Sequence, residues 1–150
     1  MTRRQAREYV LQALFQYEFT KSVSGRQEIK EGLVYKSPSD DILEFIEDLI
    51  GGVIKHLEEI DDIIQSVSKH WELQRIASVD RNIIRFAVYE LLYRADIPAA
   101  VTINEAVDIA KKYSTLESFS FINGILDTIA HANTPDNAKN VKPSARECNK

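Results

Sequence analysis

One cysteine occurs in 150 residues, Cys148, two positions from the end, so neither an internal disulfide framework nor a cysteine-built metal site can form. That usage fits a reducing, cytoplasmic setting. Long apolar runs are also missing: nowhere do about 18 apolar residues follow one another, as a membrane-spanning helix requires. The opening Met1-Thr2-Arg3-Arg4-Gln5 leads into a glutamate-bearing helical pattern rather than a purely apolar segment, which argues against a secretory signal. The three histidines, His56, His70 and His131, are scattered and form no His/Asp/Glu set that repeats as a metal motif. There is no glycine-rich phosphate loop, no Gly-x-Ser-x-Gly and no Cys/His arrangement, so an enzyme would lack a nucleophile, a base and a cofactor cradle. The sequence therefore points to a non-catalytic protein without metal or cofactor.

What is present is 44% apolar residues, enough for one continuous core. We expect a single domain over residues 1–133 and a polar, disordered tail over 134–150, where periodicity is lost after Asn133-Thr134-Pro135. The net charge of −4 conceals an uneven distribution. Residues 37–68 carry nine acids against the single base Lys55, a local −8, and the remainder sums to +4. Arg3, Arg4 and Arg7 crowd the start, while Lys139, Lys142, Arg146 and Lys150 stand in the tail. A local field of that kind matters more to an anionic partner than the total does.

Apolar residues recur at helical spacing almost throughout, and no period-two strand pattern appears, so the fold class is all-α. Over about residues 3–20, Ala6, Val10, Ala13, Leu14 and Tyr17 make one stripe, with the arginines opposing the helix dipole at its start. Ile29, Leu33, Val34 and Tyr35 suggest a short helical piece ending near Ser37-Pro38. From Ser39 or Asp40 the pattern Ile42, Phe45, Ile46, Leu49, Ile50, Val53, Leu57, Ile60, Ile63, Ile64, Val67 predicts one long helix, with a bend or a closely packed neighbour at Gly51-Gly52. The acids on its other face, including Glu58-Glu59 and Asp61-Asp62, fit a solvated surface better than catalytic carboxylate pairs. Ser78 is a candidate cap for a central helix over Val79–Arg94, whose apolar arc includes Ile83, Ile84, Phe86, Ala87, Val88, Leu91 and Leu92. Pro98 ends the following link, Thr102 and Glu105 have capping-box spacing for a helix to Tyr113, and a last helix spans Glu117–Ala130. Phe119 and Phe121, two residues apart, cannot share a face there, so one should be core and the other a surface aromatic able to stack on a base.

Four segments in order resemble the NusB family of bacterial transcription antitermination factors. They are Ala6-Arg7-Glu8 with Leu11–Gln16, Val79-Asp80-Arg81 with Ile84-Arg85 and Ala87–Leu91, Ile97-Pro98 with Val101–Val107 and Ala110-Lys111, and Phe121–Asp127. The resemblance implies two packed helical subbundles, no catalysis, and binding of single-stranded boxA RNA from ribosomal-RNA transcripts. The implied partners are NusE, a small-subunit ribosomal protein, and the antitermination complex on RNA polymerase. Position by position, it implies RNA contacts at Arg3, Arg4, Arg7, Glu117, Ser118, Phe119 and Phe121, and NusE contacts at Phe15 and Asp80, with helix capping as the rival role for Asp80. Two positions depart from the family pattern: Ser114 replaces a usual glycine and Ser120 a usual lysine, which removes one phosphate contact. Two alternatives stand beside this reading, a helical scaffold that binds protein but not RNA and the NusB-like domain of a ribosomal-RNA cytosine methyltransferase. Self-association as a homodimer is left open, because bundle and interface helices share one periodicity.

Overall fold

The structure, a computed structural model, describes residues 1–69 and 72–133. Its described elements are seven α-helices and two short 3-10 turns, with no strand among them. They group into two compact units, Met1–His56 and the chain from Leu57 onward. The predicted tail, residues 134–150, lies outside the described residues, as do His70 and Trp71.

In the first unit, helix α1 (Arg3–Thr20) is started by Thr2, whose hydroxyl accepts from the Gln5 N–H while the Gln5 side chain accepts from the Thr2 N–H. This reciprocal pair satisfies two donors that a helix start leaves open. The stripe Ala6, Val10, Leu14 is buried, with Ala13 and Tyr17 at its edge, and it packs on helix α3 (Asp40–Lys55). Ser39 caps α3 as expected, accepting from the Ile42 N–H at 3.2 Å. Leu43, Phe45, Ile46, Leu49, Ile50 and Val53 supply its buried face. Between them lies the short helix α2 (Arg26–Gly32), where Ile29 and Leu33 go inward, whereas a 3-10 turn over Val34–Lys36 leaves Val34 and Tyr35 outside.

The long helix expected over residues 40–67 is two helices. α3 stops at Lys55, His56 leaves helical geometry at φ −108° and ψ 23°, and helix α4 (Leu57–Val67) begins at once. Charge explains the position: Lys55 in the last turn of one helix and Glu58-Glu59 in the first turn of the next each complement a helix end. α3 runs through Gly51-Gly52, and a β-carbon at Gly51 would meet nothing within 4 Å, so no neighbour packs closely on Gly51.

In the second unit the central element is helix α5 (Ser78–Tyr93), buried nearly all round and packed by α4, by helix α6 (Ala99–Tyr113) and by helix α7 (Leu116–Asn133). Ser78 is its first residue, with Ala77 in the cap position. α6 begins at Ala99 after Pro98, whose fixed φ of −61° suits a helix entry, and not at Thr102. Thr102 instead lies inside the helix, and its hydroxyl donates to Glu90 Oε1 at 2.7 Å, both side chains being buried. Two of the acids expected on a solvated face are bonded to α5: Asp61 takes Arg85 Nε and Nη2 at 2.8 and 2.9 Å, and Glu59 takes the Tyr93 hydroxyl. Among the described residues no helix is long and apolar enough to cross a membrane.

Candidate nucleic-acid and partner surfaces

The first-unit surface is built at the start of α1. Arg3 is exposed and sets its guanidinium 4.4 Å from the centroid of the Phe45 ring, and Arg7 sets its own 5.1 Å from the same ring. Phe45 is buried on α3 and offers the negative face that attracts a cation. Arg7 is only 2% exposed. It stands behind Arg3 as packing, and Arg3, with half-buried Arg4, is what the helix start presents outward. No acid occupies that first turn, so the arginines and the helix dipole act with the same sign. Further along α1, Phe15 is partly exposed and meets the more exposed Phe19 edge-on, ring centroids 5.4 Å apart. Nearby in the same unit, Tyr9 holds its hydroxyl proton above the ordinary range, first because it is buried and second because Glu28 is negative.

The second-unit surface is the junction of α6 and α7. Thr115 Oγ1 accepts from the Ser118 N–H at 3.3 Å, which caps α7, and Glu117 in its first turn is exposed. Phe119 and Phe121 are both half-buried, so the expected division into one core and one surface ring does not occur. Lys111 from the last turn of α6 places Nζ 5.0 Å from the centroid of Phe119, and Lys112 places Nζ 5.2 Å from that of Tyr113. Tyr113 and Leu116 are exposed beside them. Sequence reasoning does not single out Lys111, Lys112 and Tyr113 as site residues. The available signal is a Lys-Lys-Tyr run ending at a loop, with an aromatic just beyond it.

Asp80 lies under this junction. It is 5% exposed, and its carboxylate accepts from Ser114 Oγ at 2.6 Å and from Ser118 Oγ at 2.7 Å. Ser118 Oγ is also 2.9 Å from Thr115 Oγ1. Ser120 is exposed. Ser114, at φ −132° and ψ −163°, is in extended backbone that any residue adopts, so replacing the usual glycine strains nothing. Among the described residues no three His, Cys, Asp or Glu side chains are grouped to hold a metal ion.

Among the described residues, then, the elements are helices and 3-10 turns alone, and two surfaces pair cations with aromatic rings. The family model described as the NusB family matches residues 4–131, and the chain belongs to that family. It is 49% identical over 139 residues to the transcription antitermination protein NusB of Thermodesulfovibrio yellowstonii, covering 87% of this chain and 92% of that protein. Among solved structures it matches NusB of T. maritima at 42% identity and a TM-score of 0.80, covering 90% of this chain and 94% of the other. A crystal structure of the antitermination factors NusB and NusE in complex with dsRNA matches at 29% identity and a TM-score of 0.73, covering 88% of this chain and 99% of that one.

Proposed function

We propose that this chain is a transcription antitermination factor that binds boxA RNA of ribosomal-RNA transcripts together with NusE and acts within the antitermination complex on RNA polymerase. The observation that carries this is family membership across residues 4–131, joined to a relative 49% identical that is named for that activity. The NusB–NusE–RNA structure supports the choice of partners. The protein works by binding, without catalysis, and its place is the cytoplasm.

Arg3 and Arg4 neutralise phosphates, with Arg7 holding the Phe45 platform behind them. On the other unit Glu117, Ser118, Phe119 and Phe121 border the RNA, with Phe119 stacked on a base. Phe15 supplies an apolar contact to NusE. Asp80 carries the charge for a NusE contact only if it turns from its two serines.

The test is a titration of fluorescent boxA-like single-stranded RNA at several salt concentrations, with NusE present and with scrambled and duplex RNA as controls. For every phosphate that Arg3→Ala/Arg4→Ala ceases to neutralise, the slope of log affinity against log salt should flatten by about 0.7. An unaltered slope in the folded variant removes these arginines from the site. Absence of any RNA binding, with NusE binding intact, would favour the protein-only scaffold.

A further inference from the structure

Asp80 has a second use that follows from its surroundings. A carboxylate taken out of water is costly unless its oxygens are hydrogen-bonded. Here each oxygen receives one serine hydroxyl, and the two serines come from the two sides of the α6–α7 link, Ser114 and Ser118. The link itself is only Ser114-Thr115. A carboxylate that grips both sides of so short a joint leaves the two helix ends little freedom to swing. Directly attached to those ends are Lys111, Lys112 and Tyr113 on α6 and Leu116 and Phe119 on α7, the residues that form the basic-aromatic face.

We propose that Asp80 is the positioning residue of the α6–α7 junction. Through Ser114 and Ser118 it holds Lys111 over Phe119 and keeps Tyr113 beside them, so that the junction presents a preformed face to single-stranded RNA. The inference rests on the RNA-binding function proposed above and deepens it. The chemistry that fits the face is an unpaired base for the ring and a backbone phosphate for the lysines, a combination that tolerates many sequences. Preorganisation matters because freezing loose side chains on binding subtracts from affinity. A partner-facing role for Asp80 depends on its negative charge, whereas the positioning role depends on its hydrogen bonds, and the two make opposite forecasts for one substitution.

That substitution is Asp80→Asn, whose amide can donate to one serine hydroxyl and accept from the other, since a hydroxyl does either. With the labelled RNA titration and NusE present, Asp80→Asn should keep RNA affinity within about twofold of the parent. Asp80→Ala should lower it by roughly two- to thirtyfold and speed hydrogen exchange at the amides of residues 114–120. Ser114→Ala with Ser118→Ala should reproduce the alanine result, and adding Asp80→Ala to that pair should do little more. If Asp80→Ala is too unstable to study, the serine pair carries the test, because it removes the same bonds without removing the acid. The proposal is overturned if the serine pair or Asp80→Ala leaves exchange or RNA affinity unchanged, or if Asp80→Asn is as damaging as Asp80→Ala. Phe119→Ala and Lys111→Ala distinguish the positioning role from the RNA face it serves. Loss of affinity in these with none in Asp80→Ala sinks the positioning role alone, while no loss in either removes the junction as an RNA face and the positioning role with it.

Discussion

Arg3 and Arg7 are one turn apart on α1 and share one aromatic ring, yet their circumstances differ: one is exposed and the other buried. Sequence treats the two alike, because a cluster of three arginines does not say which of them points inward. Arg7→Ala should therefore act on stability, costing about 2 kcal/mol for a desolvated cation on a ring, whereas Arg3→Ala leaves unfolding by denaturant nearly unchanged. Parallel denaturant titrations of the two single variants check this, and equal stability would show that the ring contact contributes little. Thr102 makes a similar point. Its spacing to Glu105 imitates a cap, but its hydroxyl serves Glu90, a residue twelve positions earlier on α5. Thr102→Val should cost about 1–3 kcal/mol, the range for leaving a buried polar group without its partner, and an unfolding midpoint equal to the parent's would show the bond to be dispensable. The acids at 59 and 61 are illegible for the same reason, since Tyr93 and Arg85 lie 34 and 24 positions away and only the packing of α4 on α5 brings them together.

At the scale of elements, periodicity marks every helical stretch but reads α3 and α4 as one, and the other differences fall at the ends. α5 begins at the cap-like residue Ser78 itself and α6 three residues before Thr102, because Ala77 (φ −54°, ψ 142°) and the extended Pro98 already open the two helices. The division at His56 leaves no mark on the apolar pattern, which continues in steps of three and four across it. The charges do mark it, Lys55 before and Glu58-Glu59 after. Glycine misleads in the other direction. Gly51 is exposed, in ordinary helical geometry with open space where a β-carbon would go. Gly51→Ala should accordingly stabilise the protein by about 0.4–1 kcal/mol through the reduced freedom of the unfolded chain. A lower melting temperature in that variant would show that the added methyl is not tolerated by the fold and that the open space at Gly51 is not there.

On the whole-molecule scale, Tyr9 in the first unit and Tyr93 in the second hold their protons more tightly than usual. Tyr9 in the first unit is raised by burial and then by Glu28, and Tyr93 in the second by its bond to Glu59, then by burial and that same negative charge. Both shifts are upward, so the folded form binds these protons better than the unfolded chain does. Their contribution is fully present below the ordinary tyrosine value of about 10 and is lost as pH rises through the higher folded values. Native phenolate absorbance should therefore lag behind that of the denatured chain, and Tyr93→Phe should remove part of the lag. Coincident curves would show that neither hydroxyl is held. The candidate sites are partly legible at this scale: the basic start and the aromatic pair near 119–121 are visible as composition, whereas the lysines that complete the junction need α6 and α7 placed side by side.

The short links of the second unit also set a tempo. α5 reaches α6 through residues 94–98, and α6 reaches α7 through residues 114 and 115. Most of the helix faces that meet there are neighbours along the chain, so little entropy is lost in closing the loops between them. Architectures dominated by such local contacts acquire their structure in about microseconds to milliseconds. A chain of this kind emerging from a ribosome would complete the junction of α6 and α7 almost as soon as Asn133 is free, well within the time needed to add the next residue at roughly 5–20 per second.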